Sequence, residues 1–143
     1  MRTKKNWKRD TSVLYLDANI FIFAAMNTEE LGEKARALLK RIQQGEEKAE
    51  TSALTFDEVF WVIKKHNLEL AFETCEALLN FPNIEIVPAD RELAVAAVRI
   101  MRECVLRPRD AIHAATAIAE KADCIVSIDP HFDRVRGLKR KNL

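Results

Sequence analysis

Short β-prone apolar runs alternate with helical patterns along this chain, and that alternation constrains the fold more than any other feature of the sequence. Val13-Leu14-Tyr15-Leu16 has the pattern of a buried strand, ended by Asp17-Ala18-Asn19 and followed by the apolar, helix-like run Ile20 to Met26. Glu29 to Gln44 places Leu31, Ala35, Leu38, Leu39 and Ile42 on one helical face, and Gly45 stands where a helix stop is expected. Ala49 to Ala53 reads as a short strand. Thr55 to Lys65 reads as a helix with Phe56, Val59, Phe60 and Ile63 inward, and Leu68 to Leu79 as another. Ile84-Glu85-Ile86-Val87 is a strand ended by Pro88, and Asp90 caps a helix carrying Leu93, Ala94, Ala97, Val98 and Met101. Pro108 opens the Ala-rich helix Arg109 to Lys121, and Cys124 to Ser127 forms the last central strand. Asp129-Pro130 then turns the chain into a short helix near Phe132, and Leu138 begins an edge strand. Strands separated by helices imply a mainly parallel sheet covered on both faces. The expected fold class is therefore α/β, a three-layer α/β/α domain with its functional crevice at the strands' carboxyl ends.

With 143 residues, 48% of them hydrophobic and 31% charged, the chain has the size and composition of one domain spanning residues 1–143. Three glycines and four prolines leave no candidate for a long linker. Cys75, Cys104 and Cys124 are odd in number and widely spaced, so they read as buried thiols in a reducing compartment, which makes a cytoplasmic location the expectation. No apolar run approaches the roughly 18 to 20 residues that span a bilayer. Arg2, Lys4, Lys5, Lys8 and Arg9, ahead of apolar Val13 to Met26, imitate a secretory signal. Asp17 and Asn19 interrupt that apolar run, so the segment belongs to the fold, behind a basic N-terminal extension over residues 1–11. A net charge of +1, from 23 basic and 22 acidic residues, excludes indiscriminate polycation binding of nucleic acid. The basic residues at the two ends, including Arg134, Arg136, Lys139, Arg140 and Lys141, either hold phosphates or are solvated termini.

Four acids stand where this architecture would bring them to one edge. Asp17 ends the first strand, Asp129 ends the last central one, and Glu58 and Asp110 fall in the first turns of helices. Each alone has a structural explanation. Asp17 could cap the following helix, Thr55-x-x-Glu58 has capping-box spacing, Asp110 suits the helix dipole, and Asp129-Pro130 is a cap followed by proline. Those explanations do not account for convergence. Four like charges in one crevice stay ionised near neutrality only if a cation offsets them. Oxygen ligands without His or Cys partners suit Mg²⁺ or Mn²⁺, and such a platform supports in-line phosphodiester hydrolysis. No G-x-S-x-G elbow, P-loop or Gly-rich dinucleotide turn points to other chemistry.

His113, one turn after Asp110, either contacts substrate or a metal-bound water or is a packed histidine. Asn19 and Ser127 either orient the carboxylates or are plain turn residues. Asp57 and Asp133 rival their neighbours, and Glu58 is preferred over Asp57 because it continues the stripe of Thr55 and Val62. Trp7 and Trp61 offer stacking surfaces for bases, although Trp61 in an apolar helix reads first as core.

At these residues the sequence resembles the PIN-domain nucleases, and among them the short VapC-type toxins of toxin–antitoxin pairs. The resemblance runs over essentially the full chain. It is carried by Leu16-Asp17-Ala18-Asn19-Ile20, Thr55-Phe56-Asp57-Glu58, Arg109-Asp110-Ala111-Ile112-His113-Ala114-Ala115-Thr116-Ala117 and Val126-Ser127-Ile128-Asp129-Pro130-His131-Phe132. It departs at Ile128, where many relatives carry a polar residue. The resemblance implies a Rossmann-like PIN fold, Mg²⁺ or Mn²⁺ dependence, endonucleolytic cleavage of RNA, homodimers, and a small antitoxin as partner. It further implies Asp17 and Asp110 as the principal metal ligands, with Glu58 and Asp129 completing the pocket.

Other readings compete with a toxin ribonuclease. A noncatalytic PIN-like domain would bind RNA or protein, but need not keep four acids. A PIN nuclease could act in RNA processing, or on DNA or flap structures. An aspartyl-phosphate phosphatase would need a second Asp where Asn19 stands.

Overall fold

A computed structural model describes residues 12–143, and the basic extension and Trp7 lie outside the described residues. The chain runs β1 (Val13–Leu16), α1 (Ala18–Met26), α2 (Glu30–Gln43), β2 (Lys48–Ser52), α3 (Thr55–Lys64) and α4 (Leu68–Leu79). It continues through β3 (Ile84–Val87), α5 (Arg91–Glu103), α6 (Pro108–Ala119), β4 (Cys124–Val126), a 3₁₀ turn (Pro130–Arg134) and β5 (Arg140–Lys141). The five strands lie in the order β3-β2-β1-β4-β5, and every neighbouring pair is parallel.

The pleat of the central strands divides the core in two. Leu14 and Leu16 on β1 face one side, with Ala49, Ile84, Cys124 and Val126, against α1 to α4. Tyr15 between them faces the other, with Val87 and Ile125, against α5 and α6. Strands buried on both faces read as continuous apolar runs, which is why β1 and β4 were legible. The strand order also fixes the crevice: the chain leaves β1 toward β2 and β3, then crosses back to place β4 on the other side of β1. Connections that diverge from two adjacent parallel strands open a gap beyond their carboxyl ends, and here that gap follows Leu16 and Val126.

Local signals account for most helix ends. Asn67 and Asp90 cap α4 and α5 by accepting from the Leu70 and Leu93 amides at 3.0 Å each. Pro108 occupies the first turn of α6, and Gly45 follows α2 at φ +81°. Three expectations about buried helix faces fail in part. The buried stripe of α3 is Thr55, Val59 and Ile63, leaving Phe56 43% exposed. Trp61, expected in the core, is 48% exposed with the Lys64 ammonium 3.7 Å from its ring centre. On α5 the stripe is Leu93 and Ala97, so Val98 and Ala94 point outward. The edge strand begins at Arg140, not Leu138: Leu138 packs into the core, while Arg140 is held by both carboxylate oxygens of Asp133 and by the Ser127 carbonyl. Cys75 and Cys124 are buried and Cys104 only half-buried, and all three are free thiols. Among the described residues no helix is long and apolar enough to cross a membrane.

The α1–α2 corner depends on Gly32. The Asn27 side chain accepts from the Glu29 and Gly32 amides at 2.8 and 3.1 Å, and a Cβ on Gly32 would lie 1.8 Å from the Asn27 carbonyl oxygen. Because that neighbour is backbone, the corner itself must move to admit a methyl group. Gly32→Ala is expected to destabilise the protein by about 2 kcal/mol or more, at the upper end of the overpacking range, as a lowered midpoint in urea unfolding.

Candidate active site

The gap at the end of β1 and β4 collects the acids. Asp17, Asn19, Glu58, Arg107, Pro108, Arg109, Asp110 and Asp129 line one cleft. β1 delivers Asp17, the segment after β4 delivers Asp129, and the first turns of α3 and α6 deliver Glu58 and Asp110.

Asp17 is the most enclosed, at 4% exposure. Its Oδ1 accepts from the Ala18 amide at 2.8 Å, and its Oδ2 accepts from the Ser127 hydroxyl at 2.7 Å. That Ser127 oxygen in turn accepts from the Asp129 amide at 3.0 Å, so one buried hydroxyl ties the ends of β1 and β4 together. Asp129 Oδ1 accepts from the His131 amide at 2.9 Å and lies 2.8 Å from the His131 ring. Asn19 sits half-buried at the rim.

Glu58 does not close a capping box. Thr55 lies inside the helix, and its hydroxyl is 2.7 Å from that of Thr51, which donates to the Leu16 carbonyl. Glu58 reaches across to α6 instead, where its Oε1 is 2.6 Å from His113 Nε2. The rival acids face elsewhere: Asp57 pairs with Arg109 at 2.8 Å and Asp133 with Arg140 at 2.9 Å.

His113 is fully buried, 0% exposed. Its Nδ1 is 2.6 Å from the Tyr15 hydroxyl, and its Nε2 lies 3.8 Å from Asp17 as well as against Glu58. A ring bonded at both nitrogens beneath the carboxylates presents no face to the cleft, so the substrate-contact reading of His113 fails on burial. Ligand atoms of Asp17, Glu58 and His113 all fall within 4.8 Å of one another. Sequence reasoning missed Tyr15, whose hydroxyl accepts from the Ser52 amide at 3.1 Å. The available signal was a tyrosine inside a strand apolar on both faces, where the phenol needs a buried partner. It also missed Arg107 and Arg109, whose exposed side chains bring positive charge to the acidic rim. A further carboxylate group, Glu50, Glu85 and Glu120, lies on β2, β3 and the far end of α6, a helix length from Asp110.

Electrostatics reflect the crowding. Burial, against the help of His113 and Ser127, pushes the Asp17 carboxyl above the usual carboxylate range. Burial and the charge of Asp17, joined by Asp129 and Glu58, do the same to Asp110. Burial opposes a charged His113, but the Glu58 hydrogen bond and the charges of Glu58, Asp17 and Asp110 raise it above the ordinary histidine value. Carboxylates sharing one cleft are suited to a divalent cation, which takes hard oxygen donors and removes their repulsion.

The family model of the PIN domain matches residues 14–138. The chain belongs to the PIN-domain family. Solved PIN-fold structures superpose over nearly its whole length. VapBC2 from Rickettsia felis, bound to a DNA fragment from its promoter, gives a TM-score of 0.71 at 18% identity, covering 91% of this chain and 98% of that one. VapC20 from Mycobacterium tuberculosis, a toxin cleaving the sarcin-ricin loop, gives 0.70 at 12% identity, covering 84% and 92%. A toxin–antitoxin complex from Klebsiella pneumoniae gives 0.65 at 25% identity, covering 89% and 95%. No curated protein matches the chain in sequence. The sequence resemblance to PIN domains and the VapC-like architecture are thus borne out.

These shifts set a pH dependence for the metal-free PIN domain. A raised His113 contributes stability that is full below about 6.5, the unfolded histidine value, and is lost as pH rises through its higher folded value. Raised Asp17 and Asp110 work in the same direction, because their ionisation costs the folded state more than the unfolded one. In EDTA the melting temperature is expected to fall between pH 6 and pH 8.5. Asp110→Asn, which removes one repelled carboxylate, should raise it at pH 8 and flatten the slope. Calorimetric scans across pH check both; an equal or steeper slope in Asp110→Asn counts against the charge-crowding account.

Proposed function

We propose that this PIN domain is a divalent-metal-dependent endoribonuclease, the toxin of a toxin–antitoxin pair. The observation that carries the reading is the convergence of Asp17, Glu58, Asp110 and Asp129 on one cleft at the divergence of β1 and β4. Asp17 and Asp110 would hold the cation, Mg²⁺ or Mn²⁺, with Glu58 and Asp129 completing the donor set. When bound, such an ion supplies charge neutralisation for the scissile phosphate and acidifies a coordinated water.

The chain's own residues do the remaining work. Ser127 and the Ala18 amide fix Asp17 at both oxygens, so this carboxylate needs little reorganisation on binding. Arg107 and Arg109 flank the mouth and offer N–H donors to the phosphates on either side of the cut. Asn19 and the free edges of Glu58 and Asp129 remain at the surface, where water and an extended strand of RNA have access. No nucleophilic side chain is required.

A small antitoxin as partner is supported by structural neighbours that are themselves toxin–antitoxin complexes. Homodimers and a cytoplasmic location complete the proposal; the free thiols agree with a reducing compartment.

Purified protein is expected to cut a mixed, structured RNA with Mg²⁺ or Mn²⁺ and not with EDTA. Asp17→Asn and Asp110→Asn should each lose at least about 100-fold in rate, the scale seen when a preorganised electrostatic group is removed. Cleavage that survives EDTA, or that both variants retain, would sink the reading.

A further inference from the structure

Glu58 differs from the other cleft acids in how it is held. Asp17 is fixed by a neighbouring amide and a serine hydroxyl and Asp129 by its own turn, but Glu58 extends from α3 on a longer, more flexible side chain. Its Oε1 lies 2.6 Å from His113 Nε2. A glutamate held at one oxygen loses much of its rotamer freedom, and Glu58 so held still lines the cleft.

The ring that holds it is itself held. His113 stands on α6 with no exposed surface, and the Tyr15 hydroxyl, on the face of β1 turned toward α6, meets Nδ1 at 2.6 Å. Tyr15 is anchored by the Ser52 amide at the end of β2. Its ring stands edge-on to the imidazole, with centroids 5.6 Å apart and planes at 64°. A hydroxyl can donate to a bare Nδ1 or accept from a protonated one, so Tyr15 suits either state while Nε2–H keeps donating to Glu58.

We infer that His113, locked by Tyr15, is a positioning residue that fixes the Glu58 carboxylate for cation binding in the cleft, a role that rests on the nuclease reading above. The connection runs from Ser52 on β2 through β1 and α6 to α3. It makes the geometry of Glu58 depend on a fully buried polar pair. It also explains why a histidine lies beneath an otherwise all-oxygen donor set: it serves Glu58 from behind.

The test measures Mn²⁺ affinity by calorimetry, and kcat and KM on a short RNA, for wild type, His113→Ala, His113→Gln and Tyr15→Phe, each with its melting temperature. His113→Ala should weaken Mn²⁺ binding and lower kcat by about 10- to 100-fold, the range for removing a group that orients a metal ligand, with KM unchanged. His113→Gln, whose amide N–H still reaches Glu58, should recover most of that loss, and Tyr15→Phe should show a smaller loss of the same kind. In wild type the His113 Nε2–H proton should be protected from exchange in NMR spectra and should shift in Glu58→Gln. A folded His113→Ala with wild-type affinity and kcat, or a glutamine variant no better than alanine, overturns the inference. Should His113→Ala not fold, Tyr15→Phe and the Nε2–H signal decide: wild-type behaviour in the one or rapid exchange in the other overturns it. If wild type binds Mn²⁺ yet cuts no RNA, the nuclease reading fails alone, and the affinities still judge the positioning role. Absence of Mn²⁺ binding in wild type overturns both.

Discussion

β1 is hydrogen-bonded on both edges and buried on both faces, and nearly everything else in the molecule follows from that enclosure. Its backbone pairs with β2 and β4, its leucines fill one core layer, and Tyr15 fills the other. A strand so enclosed cannot shift its register without turning the leucines and the tyrosine to the wrong layers. Asp17, the first residue beyond it, therefore occupies a fixed place, held also by its backbone N–H, which donates to the Val126 carbonyl at 3.2 Å. The other acids are positioned relative to that point. Ser127 ties the end of β4 to it, and the first turns of α3 and α6 face it from either side.

Placing four carboxylates at such a point opposes folding, because each is partly removed from water and near others of like charge. The fold meets this cost with neutral donors and one buried imidazole: the Ala18 amide, the Ser127 hydroxyl and His113. These groups lower the energy of the ionised acids without blocking the cleft, which a lysine or arginine seated among them would do. The nearby arginines illustrate the difference. Arg109 is drawn aside by Asp57, and Arg107 stays 85% exposed at 3.9 Å from Asp110, so both stay at the rim.

How much of this could be read from the sequence depended on whether a property is local. Strands apolar on both faces, caps at Asn67 and Asp90, Pro108 and Gly45 act within a few residues, and they placed the elements and the parallel sheet. The four acids were legible because strand ends and first helical turns are fixed by that same local pattern. Which face of a helix is buried was less so. Phe56 and Trp61 are as apolar as Val59 and Ile63, and only the packing of α3 against α1 and α4 decides that the smaller side chains go inward. The least legible contacts join residues far apart in sequence. Tyr15 and His113 are 98 positions apart, and His113 and Glu58 are 55, so nothing near either residue marks the pair.

The capping-box spacing at Thr55 shows how a local reading can be locally correct and still lose. Thr55 and Glu58 could satisfy the helix start between themselves, for a gain of about 1 kcal/mol. In the folded molecule each has a stronger alternative. Thr55 is fully buried and needs the Thr51 hydroxyl, since a buried hydroxyl without a partner costs about as much as the cap would gain. Glu58 meets an imidazole that has no other carboxylate as near, a charge-assisted contact in a site of low dielectric. The helix start is left without a side-chain cap, and the freed glutamate becomes available to the cleft. A small loss in local helix stability thus accompanies a long-range contact, the exchange expected where a chain gives up local consistency for a site.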